Sequence, residues 1–360
     1  MERPSVLLTS LKDPRGSNTV HRLGDLILIA VASALCGGAT CVAYAQFAHS
    51  KKAFLEKLLG PFTPPSHDTF SRLFRLLDPE AFGRCFAQFA AAFADSLDGV
   101  VAIDGKALRR AHETGLATSP PLMVTAWAAN ARLALAGVMP DPAKGENEVS
   151  AALAVLDLLD LTGTVVTADA LHTHRRMAAK ILERGGDYAL CLKGNQMKIK
   201  RDAEAVLDAA KKVTTARSSA LAHGRRETRS LRIADAPGFA EKHDFPGVAA
   251  IAEVTTRRGN AKPKTRLFLF SRKVKAPQAL QIVRAHWTVE NNLHWSLDVV
   301  FKEDEIRARK DNAPANIALI NRAALNIVNA IDDPKTSKRQ RLMRCAWEDA
   351  YLEKAIAHMR

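Results

Sequence analysis

Through the first quarter of the chain apolar positions recur every three to four residues; beyond it they alternate or run together in short blocks. His21–Leu35 and Thr40–Leu59 read as helices, the second with Lys51 and Lys52 on an exposed side. Pro61, Pro64 and Pro65 break the pattern. Ser66 then caps a helix through Phe70, Leu73 and Phe74, and Asp78-Pro79-Glu80 opens another whose Phe82, Phe86, Phe89 and Phe93 mark a core face. Residues 1–97 are therefore expected to form an all-helical N-terminal domain. It is either a helix-turn-helix-like DNA-binding module or a plain helical packing domain, and nothing in it reads a base.

Past residue 97 the texture is that of strands. Gly99–Ile103 is the first, and Leu122–Ala129 with Arg132–Val138 form a hairpin about Ala129-Asn130-Ala131. Helical periodicity covers Asn147–Leu161, Thr164–Ala168 is a buried strand, His174–Arg184 is helical up to Gly185-Gly186, and Asp187–Leu192 is the next strand. Three strands, helix, strand, helix, strand is an α/β order similar to the ribonuclease H-like core, in which the first and fourth strands are neighbours. Residues from about 194 to 275 interrupt that core as a strand-rich insertion, with a helix over Arg201–Lys212 and strands at Arg226–Ala234, Val248–Thr256 and Thr265–Ser271. Pro277 begins a helix that carries Glu290 and runs through Trp295; Pro314 to Ala330 forms another. The catalytic domain is thus expected over 98–330. Residues 331–360 are expected as a basic tail with a short helix, its Lys335–Arg341 run serving as a solvated linker or a phosphate-binding arm.

Composition narrows the partners. Lys plus Arg outnumber Asp plus Glu 52 to 38, a net charge of +14, which favours a polyanion and salt-sensitive binding. Leu26–Ala45 carries no charge and has the length of a membrane span, but Gly37-Gly38 divides it and its second half is small and weakly apolar. Two buried helices meeting at those glycines, and no membrane, is the expectation. The five cysteines are scattered without metal-ligand spacing and read as reduced thiols of a cytoplasmic protein.

The chemistry is carried by acids that end apolar runs. Asp104 follows Val100–Ile103, Asp169 follows Val165–Ala168, and Glu290 lies on the helix after Trp287. A carboxylate out of water is costly unless it is paired or binds something. Three from separate elements make a hard-oxygen site suited to Mg²⁺ or Mn²⁺, with two ions about 4 Å apart for in-line phosphodiester chemistry. Asp298, Glu303, Asp304, Glu305 and Glu227 compete with Glu290 as the third acid; Glu290, His294 and Asp298 share a helix face at i, i+4 and i+8. Phosphate contacts are expected from Lys106, Arg109, Arg110, His172, Lys193, Asn195, Gln196, Arg225, Arg226, His286 and His294.

At these residues the chain resembles the DDE transposases of bacterial insertion sequences, in the group that includes the H-repeat-associated proteins. The resemblance runs from Pro65-Ser66-His67-Asp68-Thr69-Phe70 through Ala102-Ile103-Asp104-Gly105-Lys106, Ala168-Asp169-Ala170-Leu171-His172 and Leu192-Lys193-Gly194-Asn195-Gln196. Its most specific stretch is His286-Trp287-Thr288-Val289-Glu290-Asn291 with Leu293-His294-Trp295. It implies that Asp104, Asp169 and Glu290 are the catalytic acids, binding Mg²⁺ or Mn²⁺. It also implies nicking of double-stranded DNA at transposon ends, attack of the freed 3′-OH on target DNA, and a homo-oligomer on paired ends. A related group places a tyrosine, an arginine and a lysine around its glutamate where this chain has Val283, His286 and Leu297. The alternatives are a ribonuclease H-like nuclease or resolvase without strand transfer, and a domesticated DNA-binding protein without turnover.

Overall fold

In the computed structural model, which describes residues 11–93, 98–112, 119–222 and 225–359, the alternating runs pair into one nine-stranded sheet. Its first five strands are β1 (Gly99–Ala107), β2 (Leu122–Ala128), β3 (Leu133–Val138), β4 (Thr164–Ala168) and β5 (Asp187–Leu192). β1 pairs antiparallel with β2 and parallel with β4, and β4 pairs parallel with β5, so the first and fourth strands are neighbours as expected. The insertion supplies β6 (Thr214–Ala222), β7 (Arg225–Asp235), β8 (Ala250–Arg258) and β9 (Lys264–Phe270). The order across the sheet is β3-β2-β1-β4-β5-β9-β8-β7-β6. β9 pairs antiparallel with β5, so the insertion extends the sheet instead of standing apart from it.

Among the described residues five helices precede the sheet: α1 (Leu23–Leu35), α2 (Cys41–Ser50), α3 (Lys52–Leu59), α4 (His67–Leu76) and α5 (Pro79–Ala91). The single helix expected over Thr40–Leu59 is two, broken at Lys51, whose ammonium lies 2.7 Å from Asp349 Oδ1. The uncharged run from Leu26 is likewise divided. Gly37 has φ +86°, and a Cβ on Gly38 would collide with Ser33 Oγ, so the tight return between α1 and α2 needs both glycines. Among the described residues no helix is long and apolar enough to cross a membrane.

Between the strands lie α6 (Glu148–Asp157), α7 (Arg175–Glu183), α8 (Met197–Ala209) and α9 (Phe239–His243); after them come α10 (Ala276–His286), α11 (Trp295–Val299), α12 (Ala313–Ala330), α13 (Lys338–Trp347) and α14 (Asp349–Ala357). Three differences from expectation have physical reasons. The helix set at Arg201–Lys212 starts at Met197 and ends at Ala209, ahead of the basic pair. β6 escapes notice because an exposed edge strand, here Thr-Thr-Ala-Arg-Ser-Ser-Ala-Leu-Ala, has no buried face to alternate. The basic tail is two helices, and Leu342, Cys345, Leu352, Ala355, Ile356 and Met359 join the same core as α1–α5 and α12.

That core and a second one lie on opposite faces of the sheet. Side chains alternate along a strand: Val101 and Ile103 pack with α6 and α7, whereas Ala102 packs on the side of α12 and the N-terminal helices. α12 is the central support of that second side. Its Asn316 Nδ2 donates to the carbonyls of Phe74 and Leu77 at the end of α4, and its Asn326 exchanges two 2.8 Å hydrogen bonds with the backbone of Ala134 on the edge strand β3.

Candidate active site

Asp104 is not at the end of its strand, as the apolar run alone predicts. Pairing with β4 stops at Ile103↔Ala168, but pairing with β2 continues through Asp104↔Thr125 to Ala107↔Leu122. Asp104 therefore lies at a notch, where one neighbour has ended and the other has not. Asp169 follows β4 directly, one step beyond that last pair, so the two aspartates leave adjacent positions on the same face of the sheet. The register, a long-range property, is what brings residues 65 positions apart in the chain to one place.

Facing them runs one interrupted helix. Between α10 and α11, Val289–His294 forms a π-turn, and Glu290 is its second residue. Such turns carry one extra residue and cluster at functional sites. From this helix His294 sets Nδ1 3.8 Å from Asp104 Oδ2, and Asp298 sets Oδ1 2.6 Å from Lys106 Nζ, so positions 294 and 298 stand over strand positions 104 and 106. Trp287 stacks under the Arg266 guanidinium at 5.0 Å, and Trp295 is exposed.

The electrostatics are those of crowded acids. Burial raises the Asp104 pKa to about 7, and the charges of Asp169, Glu290 and Glu148 push the same way, against one hydrogen bond from the Gly105 N–H. Glu290 is exposed but also raised, by desolvation first and then by Asp169; Arg266 and Arg258 oppose. His294 is driven down to about 3, by burial and then by Arg322, Lys106 and His286, so its imidazole is neutral. Burial likewise lowers His286, whose Nδ1 lies 3.1 Å from Thr167 Oγ1.

Four of the five competing third acids are occupied; the fifth, Glu305, is exposed and among the described residues has no ion pair. Glu227 is paired with Arg258 at 2.8 Å and with Arg229. Asp298, Asp304 and Glu303 surround Lys106, and Glu303 also takes the fully buried Arg322 at 2.9 Å. Among the described residues Glu290 has no ion pair, and its carboxylate remains open. These oxygens are hard donors of the kind a divalent ion takes, and a cation among them would relieve the repulsion around Asp104. They are not drawn into a finished cage: among the described residues no group of three or more His, Cys, Asp or Glu is close enough to hold a metal ion.

The expected phosphate contacts fall into three sets. Lys193 is exposed, 3.6 Å from Asp169 Oδ2, and helps line a cleft of about 380 Å³ with Gly194, Lys200, Lys264 and Arg266. Arg109, Arg110 and Arg226 are exposed, Arg109 lying 3.3 Å from Asp304. Lys106 and His172 are instead buried, the first beneath three carboxylates and the second against Glu148, and Gln196 is tied to the Thr173 carbonyl. The side chains of Asn195 and Arg225 lie outside the described residues, as does the domain boundary expected near residue 97. The sequence reading missed Glu148, which looks like an ordinary acid in a helix's first turn, and Arg266, one arginine among many in a strand.

Comparisons with known proteins converge. The family described as Transposase DDE domain matches residues 95–327, and the one described as DDE_Tnp_1-associated matches residues 6–90. The chain is 29% identical over 352 residues to "Putative transposase YncI" of Escherichia coli O157:H7, covering 94% of this chain and 90% of that protein. It is 28% identical over 354 residues to "H repeat-associated putative transposase YhhI" of Escherichia coli strain K12, covering 94% and 93%. It is 34% identical over 284 residues to "Uncharacterized protein in dhlA 3'region" of Xanthobacter autotrophicus, covering 75% and 95%. The piggyBac transposase, in a synaptic complex with hairpin DNA, shares the fold with TM-score 0.50 at 12% identity, over 94% of this chain and 75% of that one.

Proposed function

The chain belongs to the Transposase DDE domain family, and from that premise we propose that it cuts double-stranded DNA at the ends of an insertion sequence and joins the freed 3′-OH to target DNA. The observation that carries the reading is the notch on β1. Asp104 and Asp169 leave adjacent strand positions beneath the π-turn that presents Glu290, and Glu227, Asp298, Glu303 and Asp304 nearby are neutralised by partners. Asp104, Asp169 and Glu290 would hold two Mg²⁺ or Mn²⁺ ions, which supply an activated oxygen nucleophile and relieve charge on the leaving oxygen.

The chain's own groups do the remaining work. Lys193, Lys200, Lys264 and Arg266, along the cleft beside Asp169, hold the phosphate backbone, and Gly194 lets it approach closely. His294 is kept neutral next to Asp104, so it does not compete with a cation for that carboxylate. His286, neutral and bound to Thr167, fixes the start of the π-turn against β4; it is a poor replacement for an arginine at phosphate. Joining two ends needs two such sites, hence a homo-oligomer on DNA, acting in the cytoplasm.

Incubating the full chain with linear DNA bearing candidate terminal repeats, target plasmid and Mg²⁺ tests this. Joined products are expected. Cuts without joining point to a nuclease, and binding without cuts to a protein that has kept the scaffold alone; either result overturns the reading.

A further inference from the structure

Glu148 lies in the first turn of α6, where an acid stabilises the helix N-terminus and calls for no other explanation. Two independent features give it another occupation. The first is Gly105. Its backbone is ordinary strand, paired with Val124, so no unusual φ requires glycine there. A Cβ on it, however, would come within 2.7 Å of Glu148 Oε1. Glycine inside a strand weakens it and marks a close approach; here the nearest group is a carboxylate, with Leu122 Cδ2 next at 3.0 Å, and it comes to the residue next to Asp104 from the face that packs on α6.

The second is His172, in the turn three residues after Asp169. It is fully buried, and among the described residues neither ring nitrogen has a hydrogen-bond partner. Its Nε2 lies 3.3 Å from Glu148 Oε1. A buried polar ring is costly to leave unpaired, and a side chain within range to relieve that cost is Glu148. A residue of β1, one of α6 and one of the turn after β4 thus meet on the side of the strand ends opposite the π-turn.

We propose that Glu148 is a fourth carboxylate of the active site, reaching past Gly105 to give an oxygen donor to the divalent cation beside Asp104, with His172 as its positioning residue. This rests on the reading of Asp104, Asp169 and Glu290 as cation ligands. Donation from His172 Nε2–H to one Glu148 oxygen leaves the other free for the cation, and fixes its direction as outer hydrogen bonds do for metal-binding carboxylates.

The test is Mn²⁺ binding by the full chain without DNA, followed by the electron paramagnetic resonance signal of free Mn²⁺, alongside thermal melts. Glu148→Gln and Gly105→Ala are each expected to weaken Mn²⁺ binding roughly tenfold or more while melting close to the parent. Asp104→Asn separates the two levels of the argument. If it loses Mn²⁺ while Glu148→Gln and Gly105→Ala bind as the parent does, Glu148 is only a helix-terminal acid and the proposal falls. If Asp104→Asn also binds as the parent, the ligand reading of the acids falls with it. Should Glu148→Gln fail to fold, Gly105→Ala decides: unchanged Mn²⁺ affinity overturns the proposal.

Discussion

Lys106 shows how a residue's neighbours fix its role. Two positions beyond a catalytic candidate in a basic chain, it looks like a phosphate contact; in the fold it lies under Asp298, Asp304 and Glu303. Burial works against its charge, yet those acids outweigh burial and hold its pKa above the ordinary lysine value. The same network contains the buried pair of Arg322 and Glu303. Breaking one partner leaves the other charged in the core, so Arg322→Leu is expected to cost about 3–5 kcal/mol in urea denaturation. Asp104→Asn should behave oppositely. It removes a charge that already repels its neighbours, so DNA cleavage should fall to background with no loss of melting temperature. A matching fall in stability would mean that Asp104 is structural. Lys338 gives a pH signature. Burial first, then Arg132 and Arg341, lower its folded pKa to about 8, below the 10.5 of an ordinary lysine. The fold thus disfavours its charged form, and the unfolded chain binds the extra proton between these values. Stability should accordingly rise with pH from about 8 to 10.5, and Lys338→Met should flatten that slope in urea titrations at several pH values.

At the level of elements, the π-turn at Val289–His294 decides where the third acid points. Each helical residue turns by about 100°, so one extra residue resets the phase between Glu290 and the segment behind it. Deleting Asn292 should let the helix close into regular α-geometry, with His294 and Asp298 held by β1 and Glu290 swung away from Asp169. A folded protein with cleavage at background is the expected outcome in a nicking assay; retained cleavage would show that the turn's phase is irrelevant. The sequence placed Glu290 on a helix correctly, because proline at the start and apolar spacing are local signals. It could not reveal the π-turn, which lies against β1, far away in the chain. Similarly, β4 and β5 were legible from their apolar blocks, whereas β6, exposed at an edge, was not.

For the whole molecule, the helices that precede the sheet share one core with α12, α13 and α14 near the end of the chain. A large buried side chain contributes about 1.5–3 kcal/mol, and α13 and α14 bury Leu342, Leu352, Ile356 and Met359 against that core. Truncation after residue 331 is therefore expected to abolish a cooperative thermal transition, in contrast to removal of a solvated tail. Calorimetry showing an unchanged transition would refute this. The net charge of +14 acts at the same scale: DNA binding should weaken linearly in log–log terms as salt rises, as measured by filter binding.

Local chemistry let the sequence alone establish much: strand and helix periods, the glycine pair that splits the Leu26–Ala45 run, and acids following two apolar blocks. These depend on residues a few positions apart. The tertiary structure alone decided which charges are free. Register brought Asp169 beside Asp104, ion pairing consumed Lys106 and Asp298, and the bare backbone of Gly105 admitted Glu148. Such outcomes depend on desolvation and on Coulomb terms between elements far apart in the chain, and no window of sequence contains both partners.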